Sequence, residues 1–242
     1  MRQDVVWQDA ALAERFVREV RGGVPYGADQ LAMMVRVIAA GGHPVRRFVD
    51  LGCGAGIVAQ TLLASWPQAQ AMLVDFSEPM LAQARLALSD VTPAPRFAVG
   101  DLADPGWVDA VRDGAPYDVV ASSYAIHHLT DVRKRALYGE ILALLAPGGT
   151  FVNVEHVASA TPGVERMSDA LFIDAQLAHQ HAQGARSTRD EIAAAFVNRP
   201  DKAANILAPV ETQCAWLREL GYVDVDCFFK VFELAVFGGR RV

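Results

Sequence analysis

Only three cysteines occur in 242 residues, and Cys53, Cys214 and Cys227 show no C-x-x-C spacing. An odd number spread so widely suggests neither a disulfide framework nor a cysteine zinc site. It fits a reducing compartment, so a cytoplasmic setting is expected. No stretch approaches 18 consecutive apolar residues, which argues against a membrane-spanning helix. Asp4, Asp9 and Glu14 stand where a secretory leader would need an apolar core. Positive charge is also short, with a formal net charge of −6. An acidic surface repels phosphate backbones, which argues against a nucleic-acid partner. The small basic clusters Arg46-Arg47 and Arg133-Lys134-Arg135 read as solvated faces. Internal repeats and low-complexity tracts are absent.

What is present is an ordinary globular balance, 52% hydrophobic and 21% charged, enough to bury a sizeable core. The length fits one domain over residues 1–242, with about 45 residues beyond a seven-stranded sheet. Residues 1–44 read as an N-terminal helical segment, with one stripe through Leu12, Phe16 and Val20 and another through Leu31, Met34, Val35 and Ile38. Short apolar runs then alternate with helical stretches, the rhythm of βαβ units and a parallel sheet. The expected strands are Arg47–Leu51, Ala71–Asp75, Arg96–Val99, Tyr117–Ser122 and Thr150–Val154. Ser77 is placed to cap the helix after the second strand, with Pro79 in its first turn. Residues 160–205 break the rhythm: they read as helical, polar and strandless. Two tightly joined strands, Val223–Val231 and Phe232–Phe237, close the chain and must be antiparallel.

The sharpest signal is Val49-Asp50-Leu51-Gly52-Cys53-Gly54-Ala55-Gly56, between a predicted strand and a predicted helix. Glycines there let the backbone approach a ligand closely, because no Cβ intervenes. Three positions past Gly54 stands Ile57, so the dinucleotide spacing G-x-G-x-x-G is not met, and a nucleoside with an amino-acid tail suits the turn better than a pyrophosphate. Asp75 ends the second strand, 19 residues after Gly56, where a carboxylate accepts hydrogen bonds from ribose hydroxyls. Gly100-Asp101-Leu102 ends the third strand, within reach of an adenine amino group.

Taken together, D-L-G-C-G-A-G, V-D-F-S-E-P-M-L, G-D-L and L-A-P-G-G-T resemble the successive motifs of class I S-adenosylmethionine (SAM)-dependent methyltransferases, over roughly residues 45–155. The resemblance implies an α/β fold: a Rossmann-like three-layer sandwich with a mostly parallel seven-stranded sheet in the order 3-2-1-4-5-7-6. It implies SAM as cofactor, S-adenosylhomocysteine (SAH) as product and a small-molecule acceptor. A finer likeness, carried by Phe16–Tyr26, Pro209–Leu217 and Arg199, is to the enzymes that make carboxy-SAM. Carried across residue by residue, it adds Tyr26, Phe76, Ser123 and Arg199 to a cofactor set of Asp50, Gly52, Cys53, Gly54, Asp75, Asp101 and Leu102. Those enzymes have another residue at the position of Gly54; this chain keeps the ordinary methyltransferase glycine.

An acceptor that must lose a proton needs a base, and the candidates are His127 and His128 after the fourth strand and Glu155 and His156 at the end of the fifth. His179 and His181, two apart, do not share a helix face and suggest no metal site. The favoured reading is methyl transfer to a small molecule under a lid of residues 160–205 and the N-terminal helices; the same segment could serve a homodimer contact. Alternatives are a SAM-modifying enzyme like the carboxy-SAM synthases, an RNA methyltransferase and a non-catalytic SAM-binding protein.

Overall fold

The computed structural model describes residues 4–15, 21–199 and 202–242. Seven strands form one sheet in the order β3-β2-β1-β4-β5-β7-β6, as the family resemblance implies. They are β1 Arg47–Leu51, β2 Gln70–Asp75, β3 Arg96–Val99, β4 Tyr117–Ser123, β5 Leu145–His156, β6 Val223–Val231 and β7 Leu234–Arg240. The first five pair in parallel, while β7 runs antiparallel to both β5 and β6. The chain reverses before β7 because only two residues separate it from β6, too few for a crossover.

Side-chain alternation splits the core into two layers. Phe48, Leu73, Val119, Val152 and Val236 face helices α2 (Gly27–Ala40), α3 (Ile57–Ser65) and α4 (Glu78–Ala87). Val49, Met72, Val120, Phe151 and Phe237 face α5 (Asp131–Leu144) and α8 (Val210–Leu220). Neighbouring residues on one strand therefore bury on opposite sides, as the period of two requires. Strand β5 extends five residues before the expected Thr150, because Arg241 N–H donates to Gly149 O and Gly148 N–H to Arg241 O. Ser77 caps α4 by accepting from Met80 N, with Pro79 in the first turn.

Among the described residues, Asp4–Gln8 form a 3-10 turn and α1 spans Ala10–Arg15; Phe16 and Val20 lie outside them. Between β5 and α8 lie α6 (Pro162–Ala182) and α7 (Arg189–Val197), which add no strand. Helix α6 packs on the turn Arg21–Gly23, where a Cβ at Gly22 would lie 2.4 Å from His179 and one at Gly23 2.5 Å from Gln176. The N-terminal segment and the insertion thus close against each other. No described helix is long and apolar enough to cross a membrane.

Candidate active site

The carboxyl ends of β1, β2, β3 and β4 line a cavity of about 400 Å³, where open α/β sheets receive ligands. Gly52, Gly54 and Gly56 all have positive φ (62°, 51° and 85°), which L side chains adopt only under strain. Gly52 and Gly54 do different work. A Cβ on Gly52 would lie 2.2 Å from Ala125 Cβ, so this glycine lets the β1 and β4 ends approach. A Cβ on Gly54 would meet nothing within 4 Å and would project into open space on the lined cavity.

Three carboxylates shape the wall from the sheet. Asp50, fully buried, accepts from Ala59 N at 3.2 Å and holds the start of α3 against β1. Asp75 accepts from Gly54 N and Ser77 N, both at 2.8 Å. It therefore ties the glycine turn to β2 while keeping lone pairs for a ligand. Burial raises its pKa above the usual carboxylate value, against the pull of backbone bonds from Ser77, Gly54 and Phe76. Asp101 accepts from Ala103 N at 2.9 Å. The neighbouring Leu102 carbonyl accepts from Arg133 Nε at 2.7 Å, and Arg133 is clamped bidentately by Glu140 at 2.6 and 2.7 Å. Two members of the basic cluster expected on a solvated face are thus interior ties. Lys134 is 1% exposed and donates to Asp131 and to the Ile206 carbonyl. The sequence hid this because a lone charge triplet on a helix looks alike whether its partners are water or distant carbonyls. Asp75→Asn should weaken SAM binding by about 1.5–3 kcal/mol, the worth of hydrogen bonds to a charged group. Calorimetry on the folded variant checks it, and unchanged affinity removes Asp75 from the site.

Of the sequence-predicted cofactor residues, Asp50, Gly52, Cys53, Gly54, Asp75, Phe76, Asp101, Leu102 and Ser123 meet in this one cavity. Tyr26 and Arg199 do not line it. Tyr26 is half exposed at the start of α2, its ring 6.2 Å from that of Phe229. The Arg199 guanidinium lies over the Phe196 ring at 4.7 Å, with Lys202 on the same ring at 5.1 Å. Asp4, Trp7 and Tyr124 also line the cavity. Tyr124 takes φ 53° and donates to Gln30 Oε1 at 2.6 Å. Nothing in the sequence marks it, because the contact joins residues 94 apart.

The four histidine and glutamate candidates form one cluster at the ends of β4 and β5. Glu155 is fully buried and accepts from three donors, His127 N (3.1 Å), Asn153 Nδ2 (3.2 Å) and His156 N (2.9 Å), and shares a hydrogen bond with His127 Nδ1 at 2.6 Å. Burial pushes its pKa up, while the bonds from His156 and Asn153 pull it back. His127 is kept neutral by burial first, then by His156, Lys134 and Arg199. His156 pairs with Glu233 at 2.8 Å, and its ring leans on Phe172 at 6.0 Å. Of the four candidates, His128 alone lines the cavity; its ring centroid is 4.0 Å from that of His127. His128 Nδ1 lies 3.2 Å from the Ala204 carbonyl. A carbonyl only accepts, so the neutral ring carries its proton on Nδ1 and its lone pair on Nε2.

Burial, with His127 beside it, lowers the His128 pKa to about 3. The unfolded imidazole takes its proton near pH 6.5, so this histidine stabilises the fold fully above that value. Its contribution falls on acidification between about pH 6.5 and 3, at up to about 1.4 kcal/mol per unit. Denaturant melts of wild type and His128→Gln from pH 7 to 4 should show a shallower acid loss in the variant; parallel curves would refute the assignment.

Comparison with known proteins places this geometry. Residues 48–149 match the family model described as a methyltransferase domain. The chain is 33% identical over 142 residues to a trans-aconitate 2-methyltransferase from Acidovorax ebreus (strain TPSY), covering 58% of this chain and 46% of the relative. It is 35% identical over 86 residues to a malonyl-[acyl-carrier protein] O-methyltransferase from Magnetococcus marinus, covering 36% and 30%. The matches thus span under half the length of either relative. Among solved structures, magnesium protoporphyrin IX methyltransferase from Synechocystis PCC 6803 with bound SAH superposes with a TM-score of 0.62 at 17% identity, covering 99% of this chain and 98% of that one. Residues 48–149 are thus similar to a methyltransferase domain, and the seven-stranded sheet around them has the Rossmann-like fold of the superposed methyltransferase.

Proposed function

We propose that this chain binds SAM in the cavity and methylates a small organic acid on a carboxylate oxygen. The observation that carries the reading is a separation of charge. The turn at Gly54 opens on a cavity lined by Asp4, Asp50, Asp75 and Asp101 and, among the described residues, by no lysine or arginine. The segment that follows α7 brings Arg199 and Lys202 together on one ring. That segment adjoins the cavity wall: Ile206 N–H donates to His127 O at 2.8 Å, and Ala204 O accepts from His128.

SAM fits the cavity residues. The space a Cβ would fill at Gly54 suits an amino-acid tail, and Asp75 and Asp101 suit the hydroxyls and amino group of adenosine. When bound, SAM supplies a methyl group activated on a sulfonium. The chain's part is to hold the acceptor aligned and to exclude water. Joining a cation to an anion removes both charges, so water-poor walls favour the transfer. A carboxylic acid loses its proton at about pH 4, so it arrives ionised at neutral pH and needs no base. That agrees with Glu155 and His127 lying behind the wall rather than on it. The names of the two curated relatives, trans-aconitate and malonyl methyltransferases, support an acid. Helices α6 and α7 with the N-terminal segment act as the cover, and Arg199 and Lys202 receive the acid. A second reading, an acceptor that yields a proton, is favoured by His128 alone, with its Nε2 lone pair in the cavity wall.

The test is turnover of methyl-labelled SAM with a panel of di- and tricarboxylic acids and of hydroxylated acceptors. Base-labile methyl esters are expected. Arg199→Ala should raise KM for the acid at least tenfold, about 1.4 kcal/mol, with SAM affinity unchanged. Bound SAM with no label passed to any acid refutes the reading. A mass spectrum of the co-purifying ligand separates SAM, SAH and a carboxylated derivative.

A further inference from the structure

The loop that follows β3 carries two cavity residues, Asp101 and Leu102. Within it one peptide plane is bonded at both ends. Its N–H, on Ala103, donates to Asp101 Oδ1 at 2.9 Å, and its C=O, on Leu102, accepts from Arg133 Nε at 2.7 Å. A trans peptide is flat and points these two groups in opposite directions. Arg133 therefore stands on one side of the plane and the Asp101 carboxylate on the other. Turning the plane would strain both bonds, so the guanidinium sets the direction from which the carboxylate is held. A donor on the carbonyl also polarises the peptide and strengthens its N–H bond.

Arg133 is itself built in. Its Nη1 and Nη2 donate to Glu140 Oε1 and Oε2 at 2.7 and 2.6 Å, and Glu140 Oε2 accepts a further bond from Trp107 Nε1 at 2.6 Å. The ion pair is mostly shielded from water, its side chains 13% and 22% exposed. Trp107 is buried and belongs to the 3-10 turn Pro105–Ala110, which continues the same loop. Its Cβ stands 3.7 Å from where a Gly100 Cβ would lie, so the loop is held before Asp101 as well as after it. The fork on Glu140 needs a planar guanidinium, which a lysine does not supply. Both holders stand on α5, which starts at Asp131, just past the cavity residue Leu129. Helix α5 thus joins the β4 side of the cavity to the β3 side from behind.

We propose that Arg133, clamped by Glu140 and Trp107, is a positioning residue that aims the Asp101 carboxylate at the amino group of the cofactor's adenine, so that the cavity rejects a purine with an oxygen in that place. The inference rests on the reading of the cavity as a SAM site with adenine beside Asp101. A carboxylate accepts from an amino group but meets a carbonyl with lone pair against lone pair. Discrimination between the two therefore depends on the carboxylate being held in one orientation. Once released it loses alignment with the amino group and can swing away from the carbonyl.

Calorimetry of SAH and its hypoxanthine counterpart, S-inosylhomocysteine, binding to the full chain tests this. Wild type should prefer SAH by roughly a hundredfold or more. Asp101→Asn sets the floor, because its amide can donate to the oxygen; there the preference should fall below about tenfold. Arg133→Met keeps an unbranched stem and loses the donors. It should weaken SAH about tenfold and the inosyl compound less than about threefold. Glu140→Gln, which loosens the clamp and leaves Arg133 Nε in place, should shift the ratio the same way by a smaller factor. Arg133→Lys can donate to Leu102 but cannot fork on Glu140, and should recover part of the preference. Circular dichroism confirms folding; if Arg133→Met unfolds, Glu140→Gln and Arg133→Lys report the same ratio. A merely structural tie would weaken both ligands alike. Equal losses for the two ligands, or a wild type that does not tell them apart, overturn the inference and leave the cofactor assignment standing. A folded wild type that binds neither SAM nor SAH overturns both.

Discussion

Gly54→Val should abolish detectable SAM binding, a loss of at least a hundredfold, in a protein that still folds. The backbone at Gly54 has φ 51°, and an L residue there costs about 1–2 kcal/mol. For a chain of this size that corresponds to a Tm drop of roughly 2–8 °C. The new Cβ meets no protein atom, since nothing lies within 4 Å of its ideal position. What it displaces is ligand. Gly52→Val is the contrasting case. Its Cβ would lie 2.2 Å from Ala125 Cβ, so overpacking adds to backbone strain. We expect it to lose about 2–5 kcal/mol of stability and to lose binding only through the damaged fold. Thermal melts paired with calorimetry separate the two. Sequence alone assigns both glycines one steric role; the tertiary contacts divide it. Normal SAM affinity in Gly54→Val would mean that the turn has been misassigned.

Glu155→Gln should be the most destabilising single change at the ends of β4 and β5. The carboxyl group is fully buried, accepts from His127 N, Asn153 Nδ2 and His156 N, and shares a hydrogen bond with His127 Nδ1. A side-chain amide has one acceptor oxygen and turns its own two donors toward those donors. With His127 neutral the loss is of hydrogen bonds, and leaving two buried groups unsatisfied costs about 2–5 kcal/mol, or a Tm drop of roughly 4–20 °C. At a temperature where the variant is folded, SAM affinity should stay within threefold and methyl transfer to an acid within tenfold, because a carboxylate acceptor needs no base. His127→Asn should behave alike. A fall of roughly 10²–10⁴-fold in turnover, the usual worth of general base catalysis, with SAM affinity intact, would instead give His127 that role and favour the proton-yielding acceptor.

The β strands and the glycine-rich end of the sheet were legible in the sequence for a physical reason, while the strand order came from the family resemblance. Strands buried on both faces read as near-continuous apolar runs, as in Phe48 to Leu51 and Val119 to Ala121. The glycine turn, Asp75 and Asp101 each sit at the carboxyl end of such a run, so finding the strands also found the wall of the cavity. Tyr26 and Arg199 were reached only through likeness to a family branch, and the tertiary structure sets both outside the cavity lining.

What the chain's order of residues determined by itself is what depends on near neighbours: alternation, caps such as Ser77, the tight return from β6 to β7 and the positive-φ turn at Gly52–Gly56. What only the tertiary structure decided joins residues far apart. Burial turned Lys134 and Arg133 from surface charges into ties, and it made Glu155 and His127 a pair behind the wall rather than a base upon it. The fold laid Asp4 and Trp7 across a cavity otherwise built by residues 50–129. Charge and donor counts are written in the sequence, but the desolvation that gives them their energy depends on what packs around them, and that is a property of the fold.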